Sequence, residues 1–132
     1  IEGTADRIII PVDVSIANTA DPAYALDVGG TIRASGDVIA YSDARVKENV
    51  HTIDNALDKV TQLRGVSYNK IGETEEKIGV IAQEIEKVLP QVVQEDAEGM
   101  KSVAYGNIVG VLIEAIKEQQ KQIDELKSRL DA

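Results

Sequence analysis

Ser42 and Lys47 are the residues of this chain whose types and spacing could do covalent chemistry. A serine hydroxyl is a poor nucleophile until a base takes its proton. In a sequence with one His and no Cys, the available base is a lysine whose ammonium form is disfavoured by desolvation or by a neighbouring cation. Both residues lie in YSDARVKEN, residues 41–49. Positions five apart on a straight strand point to opposite faces, so pairing them requires a bend, and Asp43 followed by Ala44 lets the chain leave the strand there. The spacing by itself fits a turn serine and a solvated lysine better than it fits a dyad. His51, the single imidazole, is expected at the surface or at a helix end rather than in catalysis.

The same stretch is the border between two kinds of sequence. Ahead of it, RIIIPVDV (7–14), ALDV (25–28), TIRA (31–34) and VIAY (38–41) read as strands of about four residues, with Gly29-Gly30 as a hairpin and Ser35-Gly36-Asp37 as a second turn. Strands this short do not hold together alone in water, so the meander is expected to lean on copies of itself. Behind the border, Thr52 is placed to cap a helix whose Ile53, Ala56, Leu57, Val60 and Leu63 share one face and which Gly65 closes. VSYNK (66–70) reads as a strand, KIGVIA (77–82) as a buried strand, and QEIEKVL (83–89) as a short helix stopped by Pro90. QVVQE and KSVAY read as short strands around a turn containing Gly99. The fold class expected is α+β.

The last segment is the most periodic. Val109, Ile116, Ile123 and Leu130 at a, with Tyr105, Leu112, Gln119 and Leu126 at d, give an unbroken 3-4 spacing, the pattern of a coiled-coil seam. A helix from about 105 to 130 would be roughly 39 Å long at about 1.5 Å per residue, more than so small a module needs. The heptads predict an oligomer and leave dimer and trimer open.

Composition sets the outer bounds. Across 132 residues there is no Phe or Trp and only four Tyr, so the apolar mass is aliphatic, which suits strands and helical seams better than a large globular core. A formal charge of −9, from 23 acidic against 14 basic residues, disfavours nucleic acid and anionic membranes. Without Cys and with one His, neither disulfides nor a Cys/His metal site is expected. No apolar run is long enough to span a membrane and no signal segment is present. Beginning on Ile1, the chain reads as a C-terminal fragment of something longer.

The stretches YALDVGGTIRASGDVIAYSD, SDARVKENV (42–50), KIGVIAQEIEKVLPQVV (77–93) and KSVAYGNIVGVLIEAIKEQQKQIDEL (101–126) together resemble the C-terminal intramolecular chaperone autoprocessing domain of phage tail fibres, tailspikes and endosialidases, the S74 peptidase domain. The resemblance runs from about Tyr41 to the end. It implies that residues 1–41 are the end of a β-rich, triple β-helix-like fibre shaft and 42–132 the chaperone domain, with its coiled-coil helix at about 105–130. Such domains form homotrimers, guide the shaft of the same polypeptide into register, and cut themselves off by a single-turnover reaction in cis. The resemblance makes Ser42 the nucleophile and Lys47 the general base, with cleavage at Ser42–Asp43, or at Tyr41–Ser42 through a five-membered ring. Asp43, Arg45 and Asn49 match the surrounding motif, where polar groups orient the peptide or stabilise an oxyanion. Gly79, Gln83 and Glu84 match the GviAQE motif, and Lys77 stands where some relatives carry His. Neither cofactor nor metal is implied. The parent would be a virion tail fibre precursor assembled in the host cytoplasm, its chaperone part released on cleavage. Related membrane-bound transcription factors of the myelin regulatory factor type use the same module. Two rival readings are a trimerisation cap that never cleaves and a receptor-binding fibre tip, the latter disfavoured by the shortage of aromatic side chains.

Overall fold

The computed structural model describes residues 12–16 and 24–132, and the chain divides into two compact units, residues 1–47 and 48–132. In the first unit β1 (Val14–Ile16) pairs with β2 (Leu26–Val28) in parallel, Val14 opposite Leu26 and Ile16 opposite Val28. The expected strand from Arg7 lies, up to Pro11, outside the described residues. Gly29-Gly30 bends the chain but does not turn a hairpin, because residues 31–34 and 38–41 form no strand. Their alternating, apolar sequence is right for strands, and Ile39 is 89% exposed. A strand exists only through a neighbour that completes its hydrogen-bond ladder, and among the described residues this unit offers them none.

The second unit is mixed α and β. Helix α1 (Ala56–Thr61) starts four residues beyond the expected cap at Thr52. Asn55, just ahead of it, is left-handed (φ 52°, ψ 37°) and its side chain makes no capping bond. The amides of Ala56 and Leu57 are instead held by the two carboxylate oxygens of Glu118, each at 3.0 Å. At the other end the chain closes through Gln62 in the right-handed region, so Gly65 is not the cap.

Strands β3 (Val66–Asn69) and β4 (Glu76–Gly79) form an antiparallel ribbon with Tyr68 opposite Lys77. The expectation of a buried strand here fails: Ile78 is 85% exposed, because alternation gives the covered face to Lys77 and Gly79. Helix α2 (Ala82–Glu86) follows and precedes a 3-10 turn that begins at Pro90. β5 (Val93–Glu95) and β6 (Lys101–Val103) then form a second hairpin. Its turn is tightened by Asp96 Oδ1, which accepts the Glu98 and Met100 amides at 2.9 Å, and by Gly99 at φ +83°.

A 3-10 turn, Tyr105–Ile108, leads into α3 (Val109–Leu130), so the expected long helical segment is present. The buried core joins Ala56, Ile85, Leu89, Val92, Val111 and Ala115. Helix α3 therefore meets the rest of its unit through a stripe of Val111, Ala115 and Glu118, spaced 4 and 3 residues apart. That stripe is not the heptad seam. Val111 is 5% exposed whereas Ile116 is 64% exposed, and Val109, Leu112, Ile123, Leu126 and Leu130 also face outward.

Candidate active site

Residues 41–47 show how the sequence makes the required bend. Asp43 is extended (φ −63°, ψ 138°), Ala44–Val46 form one 3-10 turn, and Lys47 is extended again (φ −125°, ψ 143°). Two backbone bonds close the turn, Val46 N–H to the Asp43 carbonyl at 3.1 Å and Lys47 N–H to the Ala44 carbonyl at 3.2 Å. A single turn between two extended residues brings together side chains that a continuous strand would send apart. Lys47 Nζ donates to Ser42 Oγ at 2.6 Å.

Both members of the pair are solvent-exposed in the chain. General-base catalysis needs the hydroxyl to donate to a neutral amine.

Asp43 and Arg45 sit beside the pair in the same turn. The Asp43 Oδ1 atom accepts the Arg45 backbone N–H at 2.8 Å and Arg45 Nε at 3.0 Å, while Oδ2 accepts Arg45 Nη2 at 2.9 Å. These bonds hold the Asp43 carboxyl below the usual carboxylate range and the guanidinium above its own, the side-chain hydrogen bond being the larger cause in each. Asn49 belongs to the second unit and is left-handed at φ 53°, a conformation that asparagine tolerates better than most residues.

The other expected site residues lie in the second unit. Lys77 Nζ donates to Glu75 Oε2 at 3.0 Å, and that bond raises its pKa, keeping it cationic. Gly79 packs against the Tyr105 hydroxyl so closely that a Cβ built on it would stand 2.6 Å from that oxygen. The hydroxyl accepts the Val80 N–H at 3.2 Å, so the glycine admits a pin between the end of β4 and the start of the long helical segment. Glu84 receives a two-pronged guanidinium from Arg64, 3.0 and 2.9 Å, which lowers its carboxyl pKa. Gln83 lines a surface groove with Tyr68, Met100 and Tyr105. His51 borders a separate open groove floored by Leu89, Val92 and Val111.

Sequence reasoning missed Glu118 and Arg64, and took Tyr105 only as a seam residue. For Glu118 the signal was present: an acid standing on the inward stripe of α3 needs donors, and a helix start without its own cap supplies them.

Residues 42–94 match the model of the family described as chaperone of endosialidase, peptidase S74. The chain is 40% identical over 103 residues to the long tail fiber protein Gp37 of Enterobacteria phage K3, covering 71% of this chain and 8% of that protein. It is 34% identical over 113 residues to the Gp37 of Salmonella phage S16, covering 77% of this chain and 15% of that relative. It is also 31% identical over 135 residues to the myelin gene regulatory factor-like A protein of Dictyostelium discoideum, 86% of this chain and 14% of that one. The chain thus spans at most 15% of the length of these three relatives. Over residues 42–94, a segment that opens on Ser42 and closes in β5, the chain carries the chaperone of endosialidase (peptidase S74) domain.

Proposed function

We propose that this chain is the C-terminal intramolecular chaperone of a tail-fibre-type protein, that it assembles as a homotrimer with the fibre shaft of its own polypeptide, and that it then releases itself by one peptide cleavage beside Ser42. The observation that carries the reading is the 2.6 Å contact between Lys47 Nζ and Ser42 Oγ. The family and the Gp37 relatives support the fibre context, and the similarity to a myelin gene regulatory factor-like protein indicates a module that also serves other parents. Residues 1–41 would be the end of the shaft and 42–132 the chaperone domain. Strands 31–34 and 38–41, unpaired in one chain, would find their neighbours in the other two. The precursor would assemble in the host cytoplasm and the shaft would stay on the virion.

In the reaction, neutral Lys47 takes the Ser42 proton as Oγ adds to the scissile carbonyl. The tetrahedral intermediate collapses with the lysine proton delivered to the leaving amine, and water hydrolyses the resulting ester. The bond is Ser42–Asp43, the ester then being the four-membered lactone of Ser42 with its own carbonyl, or Tyr41–Ser42 if Oγ attacks the preceding carbonyl through a five-membered ring. Lys47 must be made neutral first, and burial or a cation brought by a neighbouring subunit would do this. Cutting would thereby wait for assembly.

A second reading, a trimerisation cap that never cleaves, is favoured by the exposure of Lys47. Denaturing electrophoresis and intact mass of the wild-type protein separate the two. The expected result is two fragments whose masses name the bond, and one full-length band for Ser42→Ala, Lys47→Ala and Lys47→Arg, since a guanidinium does not give up its proton. A wild-type trimer, confirmed by light scattering, that stays intact on prolonged incubation at pH 8 would replace the first reading with the second.

A further inference from the structure

We propose that Asp43 and Arg45 are positioning residues, a clamp closed across the 3-10 turn that carries Lys47 onto the Ser42 hydroxyl. The inference rests on the reading of Ser42 and Lys47 as a dyad, and it assigns what builds that dyad. The turn Ala44–Val46 has little else to hold it. It buries no residue, it is one turn long, and 3-10 geometry makes weak hydrogen bonds. A lone turn also fixes several dihedral angles for few bonds, so without support from its own side chains it would open.

The support comes from one carboxylate. Asp43 satisfies the Arg45 amide, which the turn leaves without a backbone partner, and in the same stroke receives the guanidinium fork through Nε and Nη2. Three donors of a single residue thus converge on the residue two positions earlier, which fixes Ala44 between them. The next residues follow from that curvature: Lys47 resumes extended backbone on the same side as Ser42.

The fork also decides what Arg45 does. Its charge is engaged with Asp43 within the turn, so its service to catalysis is to hold the lysine in place and not to contact the reacting carbonyl. A lysine at position 45 could supply the charge but not two parallel bonds in the plane of the carboxylate. Arg45 is 88% exposed, and an exposed ion pair adds little to global stability, so the clamp acts on local geometry.

Two measurements test this. The first is the cleavage rate of the assembled protein. Arg45→Met should slow it by about threefold, the scale of losing an exposed paired charge while Asp43 still accepts the residue-45 amide, and Asp43→Ala, which removes the cap as well, by about tenfold. Arg45→Lys should rescue only part of that loss. The swapped double variant Asp43→Arg/Arg45→Asp should rescue none, because the acid then no longer precedes the amide it caps. The second measurement is independent of cutting. The chain has no Cys, so Ser42→Cys introduces its only thiol, and o-phthalaldehyde joins a thiol to an amine within contact distance as a fluorescent isoindole. The uncut band of Ser42→Cys should give that fluorescence, Ser42→Cys/Lys47→Ala should not, and Ser42→Cys/Arg45→Met should lose most of it. Isoindole formation or cleavage at the unchanged level in the Arg45→Met background would overturn the clamp. A wild-type protein that never cuts, combined with isoindole fluorescence that Arg45→Met abolishes, would uphold the clamp and sink the dyad as a catalyst.

Discussion

Replacing Glu118 should loosen the second unit more than any other single change of a polar residue on α3. Its carboxylate accepts the first two amides of α1, 3.0 Å each, and joins residues 62 and 61 positions apart in sequence. Helix α1 has only six residues, far below the length at which a helix is stable alone, so it persists by what it touches. Glu118→Ala removes two hydrogen bonds to a charged acceptor and leaves the amide of Ala56, a residue with no exposed surface, without a partner. A hydrogen bond to a charged group contributes about 1.5–3 kcal/mol, but water can reach part of this site, so the cost should be about 2 kcal/mol. Glu118→Gln keeps one acceptor and turns an NH2 group toward the other amide, so it should cost about 1 kcal/mol. The assay is thermal unfolding of the full chain at fixed protein concentration, where about 2 kcal/mol corresponds to a Tm lowered by roughly 10 °C for a unit of this size. Lys121→Ala, exposed on α3 and outside both the stripe and the heptad seam, is the control for a general effect of altering the helix. If Glu118→Ala unfolds within a degree or two of the control, then the 3.0 Å contacts are not what starts α1, and the reasoning is refuted.

Two further predictions concern local geometry. Gly79→Ala should cost about 1–3 kcal/mol by overpacking, because its Cβ would stand 2.6 Å from the Tyr105 hydroxyl and 3.3 Å from the Tyr68 ring. Tyr105→Phe removes the nearer obstacle, so the double variant should be more stable than the sum of the two single losses predicts, and a double-mutant cycle by denaturant unfolding reads that sign. The pH dependence of the dyad's position should differ from that of cutting. The Asp43 pKa is depressed by its bonds to Arg45, so what the clamp contributes is fully present above the ordinary carboxylate value of about 3.9 and is lost only as pH falls through the lower folded value. Isoindole yield in Ser42→Cys, corrected for the pH dependence of the reagent with a free thiol and amine, should hold from pH 8 to 5. Cleavage should fall over the same range as acid keeps the base protonated. Parallel loss of both would mean that the turn, and not the base, titrates.

What the sequence disclosed depended on how far each signal reaches along the chain. The seam on α3 was readable because seven-residue periodicity is written in the helix itself, and the outward face of Val109, Leu112 and Ile116 follows that pattern. The start of α1 was not, since the group that caps it stands on another helix and the local candidate, Thr52, loses to it. The segments 31–34 and 38–41 have strand composition, but pairing is a property of a neighbour and not of the segment. At the candidate site the need for a bend was legible from strand alternation, and so were the residues that make it. The arrangement was not: Arg45, expected to orient the peptide or stabilise an oxyanion, reaches back to Asp43, because a carboxylate two residues away and already facing its amide is the better partner.

The order of assembly and cutting is open to a direct test. In the chain as it stands Lys47 and Ser42 are in contact but open to water. Assembly is the step that could remove water from the lysine, and the outward apolar seam of α3 is the surface through which assembly would proceed. Ile116→Asp/Ile123→Asp puts two charges per chain into that seam, and an unpaired charge cannot be buried there without a cost far above what one apolar layer supplies. Neither residue belongs to the buried core that joins α3 to its own unit, so the variant should keep that fold while failing to associate. Light scattering should then report a monomer and far-UV circular dichroism a folded chain, and the monomer should remain uncut at pH 8 while wild type is processed. A monomeric variant that cuts at the wild-type rate at pH 8 would show that the dyad fires without partners, and the chaperone would need some other means of not leaving early.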